Sequence, residues 1–316
     1  MRVAVVIPSW NSLGLLPRCL GSLAGQGVEI ELLVVDNGSG DGSVAYLEGE
    51  GVPHLSLPRN IGFAAAVNLG VRRTSSPAVL VLNADTVLEP GCLGTLLDAL
   101  GADPSLGGVQ PRILQLEGGA PDDPAVSGTR VYSAGQALTR DGRAVEVGAG
   151  ETQRREHLEP REVFGVCGAA CLLRRELFDE LGGYDERYFA FYEDVDLNVR
   201  ARIAGWRFAY VPDAVVWHVG NASWSDGFTR PAADNARLVA RNRLATQVKF
   251  MPLASVPRIA AVEVGALARA ARQRRFIATL WGKLSALRWL PGLLRERRRL
   301  RQAGGVEKAR RWLGSA

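Results

Sequence analysis

No run of 18 apolar residues occurs anywhere in this chain of 316, so no stretch of it is expected to span a membrane. Cysteine is also scarce. Cys19, Cys92, Cys167 and Cys171 show no metal-ligand spacing, and three of them fall inside apolar helix or strand patterns. The expectation is reduced core thiols in a cytosolic protein. No signal peptide precedes the first strand-like stretch, RVAVVIP, and no internal repeat is found. What is present is ordinary globular material. The chain is 47% hydrophobic and 22% charged, which excludes global disorder and suits one large domain or two smaller ones.

Charge is unevenly distributed. Residues 257–316 hold 15 Lys and Arg against 3 Asp and Glu, a net +12, whereas residues 1–256 carry a net −7. A basic tail on an acidic body argues against a nucleic-acid-binding core and for a tail that meets an anionic surface. Two domains are expected, 1–230 and a helical, basic extension over 231–316. In the extension, Ile277, Leu280, Trp281, Leu284 and Leu287 share one helical face, with Arg274, Arg275, Lys283 and Arg288 elsewhere. LRERRRLRQ and KARRWL follow. Such helices either lie on anionic lipid or pack on the core or a partner subunit. A homo-oligomer stays open.

Strand and helix alternate through the first hundred residues. Val3–Pro8, Glu31–Asp36, His54–Pro58 and Val79–Leu82 read as strands. Helices are expected over Asn11–Leu23, from Asp41, over Ile61–Arg73, and over Pro90–Leu100 with Pro90 in the first turn. Repeated strand–helix units make an α/β fold, a mostly parallel, doubly wound sheet with helices on both faces. Ligands of such sheets bind at the carboxyl ends of the strands. Those ends read Pro8-Ser9-Trp10-Asn11, Asp36-Asn37-Gly38-Ser39, Arg59-Asn60 and Asn83-Ala84-Asp85. Residues 102–162 look like a Gly- and Pro-rich excursion with one hairpin, VYSAGQALTRDGRAVEV, turned at Asp141-Gly142. Val163–Leu173 reads as one buried strand and Arg174–Leu181 as a helix stopped by Gly182-Gly183. A second helix closes at Gly205, and WRFAYVP and VVWHVG follow as strand-like stretches. Asn221-Ala222-Ser223 matches a glycosylation sequon that carries no meaning without secretion.

Three places could carry chemistry. Val79–Leu82 runs fully apolar into Asn83-Ala84-Asp85, and a carboxylate at the end of such a strand needs a partner. If the strands ending at Asp85 and His218 are neighbours, an oxygen and an imidazole nitrogen converge, a pair suited to Mg²⁺ or Mn²⁺. Glu193-Asp194-Val195-Asp196 opens a helix. The dipole favours acids there, but three in four residues exceed what capping needs, and one carboxylate could take a proton from a hydroxyl. The Gly-rich turn Asp36–Ser43 could suggest a dinucleotide site. It follows the second strand, opens with an acid and lacks the full G-x-G-x-x-G. Asp36 is better placed to accept a base N–H.

In their order and spacing, VVIPSWN, VVDNGSGDGS, RNIGFAAAVNLGV, VLNADTVL, GGYDERYFAFYEDVDLNVRARIAGW and WHVG resemble the inverting nucleotide-sugar glycosyltransferases of family 2, with the GT-A fold. The likeness covers roughly residues 1–245 and is greatest to the bacterial rhamnosyltransferase branch that builds cell-surface polysaccharide. It implies that Pro8, Trp10 and Asp36 hold the nucleobase and that Arg59 and Asn60 contact nucleotide or phosphate. Asn83-Ala84-Asp85 matches the D-x-D segment with Asn for the first acid. Asp85 and His218 would be ligands to Mg²⁺ or Mn²⁺ on the donor diphosphate. Asp194 matches the general base, with Glu193 beside it. The implied donor is a dTDP-sugar, with a UDP- or GDP-sugar as the alternative, and the acceptor is a glycan or a polyprenyl-linked sugar. The implied place is the inner face of the cytoplasmic membrane. A non-catalytic nucleotide-sugar-binding scaffold is the reading from another class, favoured only by Asn83; a nicotinamide enzyme is remoter still.

Overall fold

The computed structural model describes residues 2–116, 129–219, 232–302 and 312. The 221–223 sequon, Gly220 of WHVG and most of KARRWL lie outside them. The chain opens with β1 (Val3–Ser9), α1 (Leu16–Gly21), β2 (Ile30–Asp36), α2 (Ser43–Gly49), β3 (His54–Ser56) and α3 (Phe63–Arg72). It continues through β4 (Ala78–Leu82), β5 (Thr86–Leu88), α4 (Cys92–Ala102), β6 (Leu106–Gln115), β7 (Val131–Ser133), β8 (Gln136–Leu138) and β9 (Ala144–Glu146). After β10 (Arg161–Val163), β11 (Ala170–Arg174), α5 (Arg175–Leu181), α6 (Glu193–Ala204) and β12 (Arg207–His218), the rest is helical. Those last helices are α7 (Ala232–Phe250), α8 (Val256–Arg272), α9 (Phe276–Ala286) and α10 (Leu290–Gln302).

The main sheet runs β10-β12-β6-β11-β4-β1-β2-β3, with β5 on β12 and β7 on β6. β4, β1, β2 and β3 are parallel, as is the β6–β12 pair, while β11 runs antiparallel between β4 and β6. β1 shows why the sheet is covered on both sides. Val3, Val5 and Ile7 face a core with Leu16 and Cys19 of α1 and Leu93, Leu96 and Leu97 of α4. Ala4 and Val6 face the other core, with Val67 and Val71 of α3, Phe178 of α5 and Leu197 of α6. Alternate residues of a strand point to opposite faces, so an apolar run with no polar member is buried twice. Gly70 lets α3 lie close on the sheet, since a Cβ there would stand 2.4 Å from Val6 Cγ1.

Several boundaries differ from those the sequence suggests, each for a local reason. α1 begins at Leu16 and not at Asn11, because Asn11 has φ 50° and is tied to the Gly-rich turn. α4 begins at Cys92; Gly91 with φ 75° is its N-cap, so Pro90 stands before the helix and not in its first turn. Residues 106–115, read as part of an irregular excursion, form a ten-residue strand inside the sheet. Gly107 and Gly108 hid it. They are required because added Cβ atoms would meet Leu177 and Leu173. Pro111 sits where the register with β12 shifts between Val211 and Val215, the kind of irregularity that tolerates proline. That shift is absorbed within a single strand, β12, which joins the two stretches read separately. Val163–Leu173 is not one strand. It splits because the Cys167 and Gly168 amides bond to Gln110 Oε1 and Asp194 Oδ2 and not to a neighbouring strand. All four cysteines are buried and free.

Candidate active site

The carboxyl ends of β1 and β4 open onto a cavity of about 540 Å³, closed by α6, the β8–β9 hairpin and α7. Pro8, Trp10, Asn60, Asn83, Asp85, Glu193, Asp194 and His218 all line it. Two expected site residues do not. Asp36 is fully buried at the end of β2, and Arg59 is exposed on the approach to α3.

On the β1–β2 side, the Gly-rich turn is tied down by protein. Asp36 Oδ2 accepts from the Ser39 amide at 3.0 Å, Asn11 Oδ1 from the Gly40 amide at 2.8 Å, and Asp41 Oδ1 from the Ser43 amide at 3.0 Å. With those amides consumed, the turn has little left to offer a pyrophosphate. Asp36 Oδ1 is buried with no partner among the described residues, an acceptor without a donor.

Asp85 and His218 meet, though not by the route expected. Their strands β4 and β12 are not neighbours. The chain turns at Asn83–Asp85, where Thr86 Oγ1 donates to Asn83 O at 2.7 Å, and enters β5, which pairs antiparallel with the end of β12. His218 Nε2 then stands 3.1 Å from Asp85 Oδ1, with the imidazole edge-on to Tyr132 at 4.3 Å. Both side chains are buried, and His218 Nδ1 has no partner among the described residues.

Across the cavity, α6 delivers its acids from an uncapped first turn. Asp194 Oδ2 accepts from the Gly168 amide at 3.0 Å and from Gln136 Nε2 at 2.7 Å, while Oδ1 accepts from the Val195 amide at 2.7 Å. Burial nevertheless raises its pKa above the usual carboxylate range, against those three donors. Glu193 is pushed well up, first by burial and then by the Asp194 charge, and its Oε2 is buried without a partner among the described residues. Asp196, the third acid, turns away from the cavity. Lys249 Nζ at 2.6 Å and Arg200 Nε at 2.6 Å hold it ionised against its burial.

Glu146, Gln136 and Tyr132 also line the cavity, and sequence reading did not single them out. Glu146 Oε2 accepts from Ser133 Oγ at 2.5 Å and Oε1 from Gln136 Nε2 at 2.9 Å, so one amide bridges Glu146 and Asp194. Burial, and then the Asp194 charge, raises the Glu146 pKa to about 7. A signal existed. A hairpin turned at Asp141-Gly142 puts residues 136 and 146 opposite each other, and they do pair.

A sequence profile described as "Glycosyl transferase family 2" matches residues 4–182. N-acetylglucosaminyl-diphospho-decaprenol L-rhamnosyltransferase of Mycobacterium tuberculosis is 33% identical over 214 residues, 60% of this chain and 66% of that protein. The pre-mycofactocin glycosyltransferase of the same organism is 31% identical over 236 residues, 73% of this chain and 45% of that one. This chain therefore spans less than two thirds of the length of either. Among solved structures, GalNAc-T7 with UDP, GalNAc and Mn2+ superposes with a TM-score of 0.60 at 16% identity, over 79% of this chain and 48% of that one. The mannosyltransferase PcManGT from Pyrobaculum calidifontis, in complex with GDP-Man and Mn2+, gives 0.54 at 18% identity, over 98% and 87%. At such identities the likeness is one of fold, GT-A.

Proposed function

Because this chain belongs to glycosyl transferase family 2, we propose that it is an inverting glycosyltransferase that moves L-rhamnose from dTDP-rhamnose to a hydroxyl of a lipid-linked or cell-surface glycan. The observation that carries this is Asp194. It is a half-buried carboxylate held by three donors, with a raised pKa, across one cavity from Asp85 and His218. The rhamnosyltransferase relative supports both the donor sugar and a polyprenyl-diphosphate-linked acceptor.

The chain's residues divide the work. Pro8 and Trp10 flank the base, and Asp36 Oδ1, covered and outside the lining, would take the base N–H at N3 only once the residues above it part. Asn60 and Asn83 face the nucleotide across the cavity; Arg59, outside the lining, acts on phosphate only from the rim. The acceptor hydroxyl lies on the face of the sugar opposite the diphosphate. Asp194 takes its proton as the oxygen bonds to the anomeric carbon and the bond to the diphosphate breaks, so configuration inverts in a single displacement. The proton stays on Asp194, and the electron pair leaves with the diphosphate.

Asp85 and His218 fit a divalent cation. One carboxylate oxygen and one imidazole nitrogen, hydrogen-bonded at 3.1 Å as they stand, are both ligand atoms that would hold such an ion. Mg²⁺ or Mn²⁺ held there would supply positive charge to the leaving diphosphate. Asn83 adds an amide and no second charge, so binding should be weak without nucleotide.

The tail supports a place for the reaction. Ile277, Trp281, Leu284 and Leu287 are exposed, beside Arg272, Arg274, Arg275 and Arg288. No helix among the described residues is long and apolar enough to cross a membrane. Docking of this face on the anionic inner surface of the cytoplasmic membrane would bring the cavity to a lipid-linked acceptor.

Calorimetric titration with dTDP, UDP and GDP, each with and without Mn²⁺, tests the donor. Metal-dependent binding of dTDP alone is expected; preference for UDP or GDP keeps the mechanism and discards rhamnose. Asp194→Asn should bind nucleotide as before and lose about 10²–10⁴-fold in transfer. Turnover intact in that variant would remove Asp194 from the role.

A further inference from the structure

Three of the four residues before α6 have left-handed backbones: Phe189 with φ 68°, Phe191 with φ 69° and Tyr192 with φ 70°. Bulky side chains rarely adopt this conformation, because Cβ crowds the following carbonyl. Three together persist only where the surroundings impose them. They are also not hidden in the fold. Phe189, Ala190, Phe191 and Tyr192 line the cavity and lead straight into Glu193 and Asp194.

Part of the restraint comes from the tail, where Arg241 donates to the Tyr188 carbonyl at 2.9 Å and its neighbour Asn242 does more. Asn242, fully buried in the middle of α7, aims its amide nitrogen at this arch. Nδ2 stands 2.8 Å from the Tyr188 carbonyl, 2.8 Å from that of Ala190 and 2.7 Å from that of Phe191, so its two N–H groups are shared among three acceptors. One turn further along α7, Thr246 Oγ1 bonds Tyr188 Oη at 2.9 Å. From the opposite side, the Ala64 amide donates to Phe189 O at 3.1 Å. Gly62 approaches so closely that a Cβ would stand 2.7 Å from that oxygen.

We propose that Asn242 is a positioning residue for proton transfer: by gathering three carbonyls of the left-handed arch, it fixes the angle at which Glu193 and Asp194 enter the cavity. This deepens the reading of Asp194 as the base and rests on it. An arch free to relax into ordinary backbone would swing the start of α6, and a misplacement of about 1 Å at the reacting atoms lowers rate by about 10²-fold. Donor binding would be spared, because Pro8, Trp10, Asp36 and Asn60 lie on elements Asn242 does not touch.

The test uses the full chain with Asn242→Leu, which keeps the volume but donates nothing, and Asn242→Ala. Expected is a fall in kcat of about 10–100-fold, nucleotide Kd within about twofold of wild type, and faster hydrogen exchange at the Phe189 and Ala190 amides than in β1 or β4. Rescue of neither variant by raised nucleotide concentration belongs to the same expectation. Unchanged kcat with unchanged exchange overturns the proposal. So does a parallel loss of nucleotide affinity and global protection, which would make Asn242 an ordinary fold determinant. Should neither variant fold, exchange in the wild type decides. Protection of Phe189 and Ala190 equal to that of α7 supports the clamp, and rapid exchange there rejects it. A wild type that binds no nucleotide and transfers nothing fails the glycosyltransferase reading instead, and the exchange data still judge the clamp.

Discussion

Glu146 is the most informative single residue. Its carboxyl ionises near pH 7 in the fold, against 4.5 when unperturbed. Between those values the native state holds a proton the unfolded chain has released, so this group makes stability fall as pH rises through that window. Glu146→Gln should therefore stabilise the protein by roughly 1–3 kcal/mol at pH 8 and scarcely at all at pH 4; thermal denaturation at the two pH values checks it. Asp194 already carries its charge while Glu146 still holds a proton, so the same change should leave the acid limb of the transfer rate where it is. A limb that moves would show Glu146 ionised while Asp194 titrates. The places of Asp85, after an apolar strand, and of Asp194, at a helix start, follow from local grammar and were legible in the sequence; both line the cavity. Glu146 and Asn242 were not. The hairpin signal pairs Glu146 with Gln136 but says nothing of Asp194, which the Gln136 amide joins to it, and the 188–191 carbonyls lie more than 40 residues from Asn242.

Among the elements, α6 is held from behind as firmly as from the front. Lys249 of α7 reaches Asp196 at 2.6 Å and Glu296 of α10 at 3.0 Å, while Arg187 reaches Glu296 at 2.7 Å. Lys249→Met leaves the buried Asp196 with Arg200 alone, and should destabilise by about 3 kcal/mol, the lower end for breaking a buried pair. Denaturant unfolding would measure it, and a loss under 1 kcal/mol would mean that Arg200 suffices. The parallel half of the sheet was readable, because its apolar runs, punctuated by turns, have only one use. β6 was not, since its glycines and proline serve neighbours remote in sequence. α9 was legible in period but not in orientation. Its buried side is the small one, Thr279, Gly282 and Ala286, and a Cβ on Gly282 would stand 2.3 Å from Arg237 O of α7. The large apolar residues are thereby turned outward.

For the whole molecule, that outward face is the feature to test. Ile277 is 70% exposed, Trp281 60% and Leu287 55%, on a tail of net charge +12. The full chain should sediment with anionic vesicles and not with neutral ones, and added salt should weaken the binding. Ile277→Ser with Trp281→Ser should lower partitioning by about tenfold or more, since each side chain buries about 1.5–3 kcal/mol of apolar surface. Equal binding by that double variant would move the contact elsewhere, and a concentration-dependent dimer abolished by it would give the face to a second copy. The sheet order has a consequence of another kind, in time. β6 is completed at residue 115, yet β12, its parallel partner, begins only at residue 207. At about 5–20 residues per second, a ribosome leaves that strand edge waiting roughly 5–20 seconds. Throughout, the nascent chain offers an unpaired, largely apolar template to its neighbours on the polysome. Asp85, made early, meets His218 only when the wait ends, so the newborn protein closes the Asp85–His218 contact and loses its stickiest edge in the same event.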